Sequence, residues 1–298
     1  MLAPSTRPRQ ALLLLNHRAG PGNAPVAELV DLLTAGGIRV TAPELTDRAS
    51  VSAAIRAHRD VDLVVVGGGD GTINAAAAGI METGLPLGIL PLGTANDLAR
   101  TLRLPADPAA AAQVILDGQT RNIDLGEVNE HFYFNVASIG FSARLARRLT
   151  RDAKQRWGVL GYSVVGARLF SEGRPFTVHI EHDGAVETVR TVQVSVGNGR
   201  FYGGGLRVDA TAQPDDGLLH VYSLEVPHVW RVLPMLPSLR KGTHGRWKEV
   251  RTFETKELTL RTRRRHEVNA DGELVTTTPA HFRVHPGAVT VFVPKAAD

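Results

Sequence analysis

Short apolar runs alternate with amphipathic stretches over the first part of the chain. Residues 11–15 (ALLLL) are wholly apolar, the pattern of a parallel strand buried on both faces. After a loop over 16–23, Val26, Leu29, Val30 and Leu33 recur at helical spacing, and Gly36-Gly37 closes that helix. A second strand is expected over 38–45, then a short helix capped by Thr46 or Asp47 and running to His58. A third strand follows over 62–66, a third helix over 73–81 and a fourth strand over 87–90. Asp107-Pro108 opens a helix over 109–116 as N-cap and first-turn proline. This rhythm predicts an open parallel sheet covered by helices on both faces.

After Asp124 the period changes from helical to alternating. Strands are expected over 131–137, 176–181, 189–197, 218–226, 252–261 and 289–293, with Asp183-Gly184, Asp216-Gly217 and Asp271-Gly272 as turns between them. Two stretches, 142–170 and 229–239, read as partly helical. The expected fold is therefore α/β followed by β: an open parallel nucleotide-binding domain over 1–125, then a β-rich, sandwich-like domain over 126–298 whose C-terminal tail is free to pack back on the first.

Composition narrows the chemistry. The 298 residues contain no cysteine, which excludes disulfides, thiolate metal sites and a cysteine nucleophile. The net charge is +4, and only five of the 34 basic residues are lysine, a balance suited to phosphate ligands or an anionic surface. With five residues in the longest apolar run, neither a membrane span nor a signal-peptide core is expected, so the chain reads as soluble or peripheral. Aromatic residues are 5%, and with no stacking platform visible a nucleic-acid partner is not expected. The scattered histidines do not read as a zinc site, and Ser163 and Ser195 lack a nucleophile-elbow setting.

The most informative residues are Gly67-Gly68-Gly69-Asp70-Gly71-Thr72, between a buried strand and a helix. Glycines let the backbone approach a ligand, and the helix start offers N–H groups to an anion. Asp70 beside bare phosphate would be repelled unless a divalent cation bridges them, so the set points to a metal–nucleotide. A tight turn with an Asp cap is the bland alternative. No Gly-Lys-Ser/Thr ending is present, and the spacing fails the dinucleotide fingerprint. A second turn, Pro91-Leu92-Gly93-Thr94-Ala95-Asn96-Asp97, follows the fourth strand at its carboxyl end, where open α/β sheets bind ligands. Taken alone, Thr94 or Asp97 would be a helix cap; two acid-bearing turns on one sheet edge favour a shared site.

Together these turns resemble the diacylglycerol-kinase catalytic family, which includes bacterial lipid kinases and sphingosine kinases. The resemblance continues through NVASIGF (135–141), GNGRFYGGG (197–205), QPDDGL (213–218) and NADGE (269–273), in order along nearly the whole chain. It implies an ATP-dependent kinase that phosphorylates a lipid hydroxyl, diacylglycerol first among candidates, working from the cytoplasm or peripherally at the inner face of the membrane. It implies nucleotide contacts from Asn16, Gly20, Thr46, Gly69, Asp70, Gly71, Thr72, Asn74 and Thr94. Asp70, Asp97 and Asp124 would form an acidic network organising Mg2+; Gln213 and Leu218 through carbonyls, and Asp216 through its carboxylate, would hold a structural Mg2+; Glu273 would be the catalytic base. From spacing alone Glu273 reads as a solvated hairpin tip, although a glutamate after a glycine turn projects freely toward a crevice; the resemblance reverses that reading.

Two positions depart from the family pattern. The first loop reads Asn16-His17-Arg18-Ala19-Gly20 where the family usually has Asn-Pro-x-Ser-Gly, and Asn74 is followed by Ala75 rather than glutamate. The runner-up is a soluble kinase of the same superfamily, an NAD kinase or 6-phosphofructokinase type. Its Asn-Glu motif has a counterpart in Asn129-Glu130, which here reads as a hairpin tip. Arg144, Arg147, Arg148, Arg151, Lys154 and Arg156 recur at helical spacing opposite Phe141, Leu145 and Leu149, so that segment reads as a membrane-facing helix or a solvated one. A second basic cluster, 261–265, sits near a strand end.

Overall fold

The computed structural model describes residues 8–15, 26–45, 47–148 and 174–295. The chain divides into two compact units, Met1–Ile123 with Gly287–Asp298, and Asp124–Pro286.

In the first unit β1 (Arg9–Leu15), β2 (Ile38–Thr41), β3 (Leu63–Gly68) and β4 (Leu87–Pro91) pair in parallel in the order β2-β1-β3-β4. Connecting helices are α1 (Val26–Ala35), α2 (Ala49–Ala57), α3 (Asp70–Thr83), α4 (Asp97–Thr101) and α5 (Pro108–Asp117). Leu13, Leu15, Leu63 and Val65 pack with Leu29 and Leu33 of α1 and Ile115 of α5. The alternate residues Leu12, Leu14, Val64 and Val66 are equally buried on the opposite face, as expected where helices cover both sides. Gly79 lets α3 approach α2 closely: its N–H donates to Ser52 Oγ at 3.0 Å, and that hydroxyl donates to the Ala75 carbonyl at 2.6 Å. Asp107 caps α5 by accepting from Ala110 N–H at 2.8 Å.

The second unit packs two antiparallel sheets face to face. One has the order β14-β13-β10-β7-β16-β17, from Val250–Thr255, Leu219–Leu224, Gln193–Gly197, Val136–Gly140, Glu267–Ala270 and Glu273–Thr277. The other is built from β8 (Phe176–His182), β9 (Ala185–Thr191), β15 (Glu257–Thr262) and the first part of β18 (Ala280–Phe292). Val194, Val196, Leu219 and Val221 meet Val178, Ile180, Leu260 and Phe282 between the sheets. Removing a fully buried ring such as Phe282 would cost about 3–5 kcal/mol. The remaining strands are β5 (Thr120–Val128) and β6 (His131–Tyr133), joined as a hairpin, and the short pair β11 (Phe201–Tyr202) and β12 (Leu206–Arg207).

Three predicted strands are each two. The stretch over 189–197 breaks at Val192, where Thr191 Oγ1 donates to the carbonyls of Gln193 (2.8 Å) and Leu224 (2.9 Å). The 252–261 stretch breaks at Lys256, where Thr255 Oγ1 donates to the Glu257 carbonyl at 2.9 Å. At both breaks the chain leaves one sheet for the other, and alternation of apolar residues cannot register such a corner. The 131–137 stretch breaks at Phe134-Asn135 because a distant carboxylate takes those N–H groups. The last strand is longer than its apolar core, since Arg283, His285 and Gly287, the last at φ +60°, interrupt the pattern.

Of the stretch predicted as partly helical over 142–170, α6 (Phe141–Arg148) is observed; from 149 to 173 the residues lie outside those described, as do the side chains of Arg147 and Arg148. Arg151, Lys154 and Arg156 therefore carry no structural statement. The 229–239 stretch is a 3-10 helix (Val229–Met235) followed by α7 (Leu236–Lys241). Among the described residues no helix is long and apolar enough to cross a membrane.

Candidate functional site

The first unit brings its two glycine turns into backbone contact. β3 and β4 pair in register, Gly68 opposite Pro91, so the turns leave the sheet side by side. A Cβ on Gly93 would overlap the Gly69 Cα, and one on Gly69 would lie 3.2 Å from the Gly93 Cα. Gly69, extended at φ −89°, is the N-cap of α3, and its carbonyl accepts from Thr72 N–H at 2.8 Å. Asp70, in the first turn of α3, accepts the Leu98 N–H of α4 at 3.1 Å, so one carboxylate oxygen ties the turns together. Asn96, with φ +49°, braces the second turn: its Oδ1 accepts Gly93 N–H at 3.0 Å and its amide donates to the Gly93 carbonyl at 2.9 Å.

Asn96 stands at the N-cap position of α4 without a side-chain cap bond, and the carboxylate that caps Leu98 N–H is that of Asp70 rather than Thr94 or Asp97. Asp97 is the first residue of α4 and is 4% exposed, whereas Thr94 is exposed. Gly69, Asp70, Gly71, Thr72, Asn74, Thr94 and Asp97 all belong to these two joined turns. Asn16, Gly20 and Thr46 lie outside the described residues. One residue that gave no signal in the sequence is Arg48: a Cβ on Gly71 would meet its Nη1 at 2.8 Å, so the guanidinium covers the first turn of α3.

The second unit gathers its candidate residues through hydrogen bonds between distant segments. Asp271 and Gly272 form the β16–β17 turn with φ of +46° and +91°. The Asp271 carboxylate accepts three backbone N–H groups, from Phe134 (2.7 Å), Asn135 (3.1 Å) and Val136 (3.0 Å), and holds the break between β6 and β7. The Asn198 amide donates to the carbonyls of Phe134 (3.1 Å) and Asp124 (3.0 Å). Asp124, 2% exposed, accepts Gly217 N–H at 2.7 Å and donates its own N–H to the Pro214 carbonyl at 2.7 Å. Asp216 then accepts from Gln213 N–H (2.9 Å), Leu218 N–H (3.0 Å) and His220 Nε2 (2.8 Å).

Asp124, Gln213, Asp216 and Leu218 are therefore one cluster, and Glu273 follows the turn tied to it. Glu273 is the first residue of β17, paired with Ala270 and half-buried. Burial opposes the charge on Asp216, yet His220 and the two N–H groups hold its carboxyl below the ordinary carboxylate value. Burial likewise works against a charged His220, but Asp216, with the charges of Glu254 and Asp209, raises its pKa. Desolvation, assisted by the Asp271 charge, pushes the Tyr133 phenol well up.

Asp271, Asn135 and Asn198 do the joining and were not singled out as site residues. Each stands inside a motif that carries the family resemblance, and the signal there is a polar residue at the end of an apolar strand. Asn129 is absorbed by structure: it sits with Glu130 in the β5–β6 turn at φ +45° and +68°, donates to the Pro279 carbonyl at 2.9 Å, and accepts His281 N–H at 2.8 Å.

A parallel α/β unit with two joined glycine–acid turns, followed by a β-sandwich, is the architecture of the NAD-kinase and diacylglycerol-kinase class. Comparison with known proteins agrees. Residues 10–128 match the diacylglycerol kinase catalytic domain, and residues 135–293 match the YegS C-terminal NAD kinase beta sandwich-like domain. A diacylglycerol kinase of Mycobacterium tuberculosis is 34% identical over 246 residues, 80% of this chain and 78% of that protein. A probable lipid kinase YegS-like protein of Pseudomonas aeruginosa is 33% identical over 310 residues, 97% of this chain and 96% of its own. A solved diacylglycerol kinase structure from Bacillus anthracis shares the fold, with a TM-score of 0.74 at 22% identity, covering 99% of this chain and 100% of that one. The chain belongs to the diacylglycerol-kinase and YegS-like lipid-kinase family. Membership implies ATP- and magnesium-dependent phosphoryl transfer of the lipid-kinase type.

Proposed function

We propose that the protein transfers the γ-phosphate of Mg-ATP to a lipid hydroxyl, with diacylglycerol as acceptor and phosphatidic acid as product. The observation that carries the reading is the backbone contact of Gly69 with Gly93, which joins two turns bearing glycine, acid and hydroxyl groups in the first unit. Backbone N–H groups around Gly69 and Gly71, with Thr72, Asn74 and Thr94, take the phosphates, and Asn16, Gly20 and Thr46 complete the nucleotide contacts. Asp70 and Asp97 would present carboxylates to the nucleotide-bound metal, with Asp124 the third acid that the family resemblance implies. When bound, magnesium supplies neutralisation of the charge on the transferring phosphoryl group.

The donor set of the second unit fits a structural magnesium. Asp216 uses three of its roughly four acceptor positions, leaving one on Oδ1 beside the carbonyl-bearing residues Gln213 and Leu218. Nearby, the buried Oδ1 atoms of Asn135 and Asn198 lack a hydrogen-bond partner among the described residues, a polarity suited to a cation or a donating ligand. Glu273 takes the proton of the acceptor hydroxyl as its oxygen bonds to phosphorus and the bond to the ADP oxygen breaks. Asp271 positions it by fixing the turn. A lipid acceptor places the work at the inner face of the membrane.

Incubating the purified protein with labelled ATP and, separately, diacylglycerol in detergent, sphingosine and NAD tests the reading. Label in phosphatidic acid is expected. Label in NADP alone, or in no product, overturns it.

A further inference from the structure

The segment Val229–Lys241 follows a period of three that its 3-10 helix converts into columns. In a 3-10 helix residues i and i+3 eclipse one another. Val229, Val232 and Met235 form the first column and are buried against Val226, Tyr222 and Val250. Trp230, Leu233 and Leu236 form the next, and they are 47%, 40% and 37% exposed. These are three of the five large apolar side chains left exposed among the described residues, and all stand on one ridge. Large apolar groups gathered on a surface mark an interaction face, whereas scattered ones do not.

The ridge cannot hide by rotating inward, because the inward column is already filled. Its ends are fixed as well: Trp247 Nε1 donates to Ser238 Oγ at 3.0 Å, and Gly242, at φ +73°, packs its backbone against Asp209 and Ala210. Within the segment the charge has one sign, with Glu225 and Glu249 at its flanks. From 227 to 248 the sequence contains Arg231, Arg240, Lys241, Arg246 and Lys248 and no Asp or Glu, and all five cations are exposed. Arg240 is four residues beyond Leu236 on α7, hence on the same face. Arg231 lies 3.9 Å from Glu249 at the margin.

We infer that the Trp230–Leu233–Leu236 ridge, with the exposed cations of its segment, Arg231, Arg240, Lys241, Arg246 and Lys248, docks the protein on an anionic phospholipid surface. Trp and Leu enter the headgroup boundary while the cations meet lipid phosphates. Charge selects this occupant. A second copy applied to the same face would oppose five cations with five cations, whereas an anionic bilayer complements both the ridge and these cations. The inference extends the lipid-kinase reading, which supplies the reason for approaching a membrane, but vesicle binding requires no turnover.

The test is co-sedimentation of the full chain with phosphatidylcholine vesicles, with and without phosphatidylglycerol, at low and high salt. Binding to the anionic vesicles that weakens with salt is expected. Leu233→Glu with Leu236→Glu should lower partitioning by about tenfold or more. Arg240→Gln with Lys241→Gln should lower it roughly 30-fold at low salt and less at high salt. Both variants should keep the wild-type melting profile and phosphorylate detergent-dispersed diacylglycerol at the wild-type rate. Unchanged partitioning in both variants overturns the docking face, as does a wild-type chain that ignores anionic vesicles and instead forms a dimer dissolved by Leu233→Glu. Vesicle binding with no transfer to any lipid in detergent would leave the docking face standing and remove the kinase reading.

Discussion

In the first unit the candidate chemistry is carried by backbone: two strand-to-helix turns meet through Gly69 and Gly93, and a single oxygen of Asp70 joins them. In the second unit it is carried by side chains that reach across the sequence, with Asp271 capping residues 134–136, Asn198 bridging Phe134 to Asp124, and Asp124 holding Gly217. A backbone cradle gives a phosphate many N–H donors and little selectivity for what lies beyond. A network of fixed side chains can position one carboxylate and one pocket wall for a particular acceptor. The difference suits an enzyme whose donor is constant and whose acceptor defines it.

The comparison predicts different failures in the two units. The largest effect is expected for Asp70→Asn. The amide oxygen can still accept Leu98 N–H, so the turns stay joined, while the charge proposed to face magnesium is lost, which would cost several kcal/mol of transition-state stabilisation. Transfer should fall to background with an unaltered melting curve; near-normal turnover at saturating ATP and magnesium would remove Asp70 from the site.

Glu273→Gln tests the other unit. The proton-accepting role predicts a kcat lower by about 10²–10⁴-fold. ATP affinity, assigned to the glycine turns, should stay within a few-fold by calorimetry. Turnover that survives would make Glu273 a hairpin tip and send the search for a base to Asp70, Asp97 and Asp124. Loss of ATP binding as well would break the division between the units.

Asp271→Asn probes the network rather than the chemistry. An amide has one accepting oxygen and turns its NH2 toward donors, so part of the cap on Phe134, Asn135 and Val136 is lost. The cost should be about 2–3 kcal/mol, lowering the melting temperature of the second unit by roughly 5–10 °C. Activity should fall through a misplaced Glu273 and recover partly at low temperature. A wild-type melting curve would show that the turn holds itself without the cap.

These two modes also explain what the sequence disclosed. Glycines, acids and an apolar strand lie within six residues of one another at Gly67–Thr72, so local pattern was enough to expect a phosphate-type turn there and its partner at Gly93. The α/β rhythm was legible for the same reason, since each apolar run has its own strand or helix. Asp271, Asn135 and Asn198 act across up to 137 positions, and nothing in their neighbourhoods says which backbone they cap. The corners at Thr191 and Thr255 were hidden because a hydroxyl bond to a carbonyl two residues on leaves hydrophobic alternation unbroken.

The smallest effect is expected within the second unit but away from its candidate residues, and it separates a network that positions chemistry from one that only stabilises. Glu127 is buried, and its carboxylate accepts from Arg283 Nε (2.8 Å) and Nη2 (3.0 Å), from His285 Nε2 (2.6 Å) and from the Glu130 N–H (3.2 Å). Burial alone would raise its pKa, but the bonds from Arg283 and His285 outweigh it and hold the value below the ordinary 4.5. A carboxyl with a lower pKa folded than unfolded contributes its stability above the unfolded value and loses it as pH falls through the folded value. Because the Arg283 side chain is 52% exposed, solvent screens the pair, and Glu127→Gln should cost about 1–2 kcal/mol at neutral pH rather than the full penalty of breaking a buried one. Urea titrations at a series of pH values should show wild type and variant converging below about pH 4, with kcat unchanged at neutral pH. A stability gap that stays constant into acid would mean that Glu127 acts through shape rather than charge, and a fall in kcat at full stability would extend the catalytic network to the far end of β5.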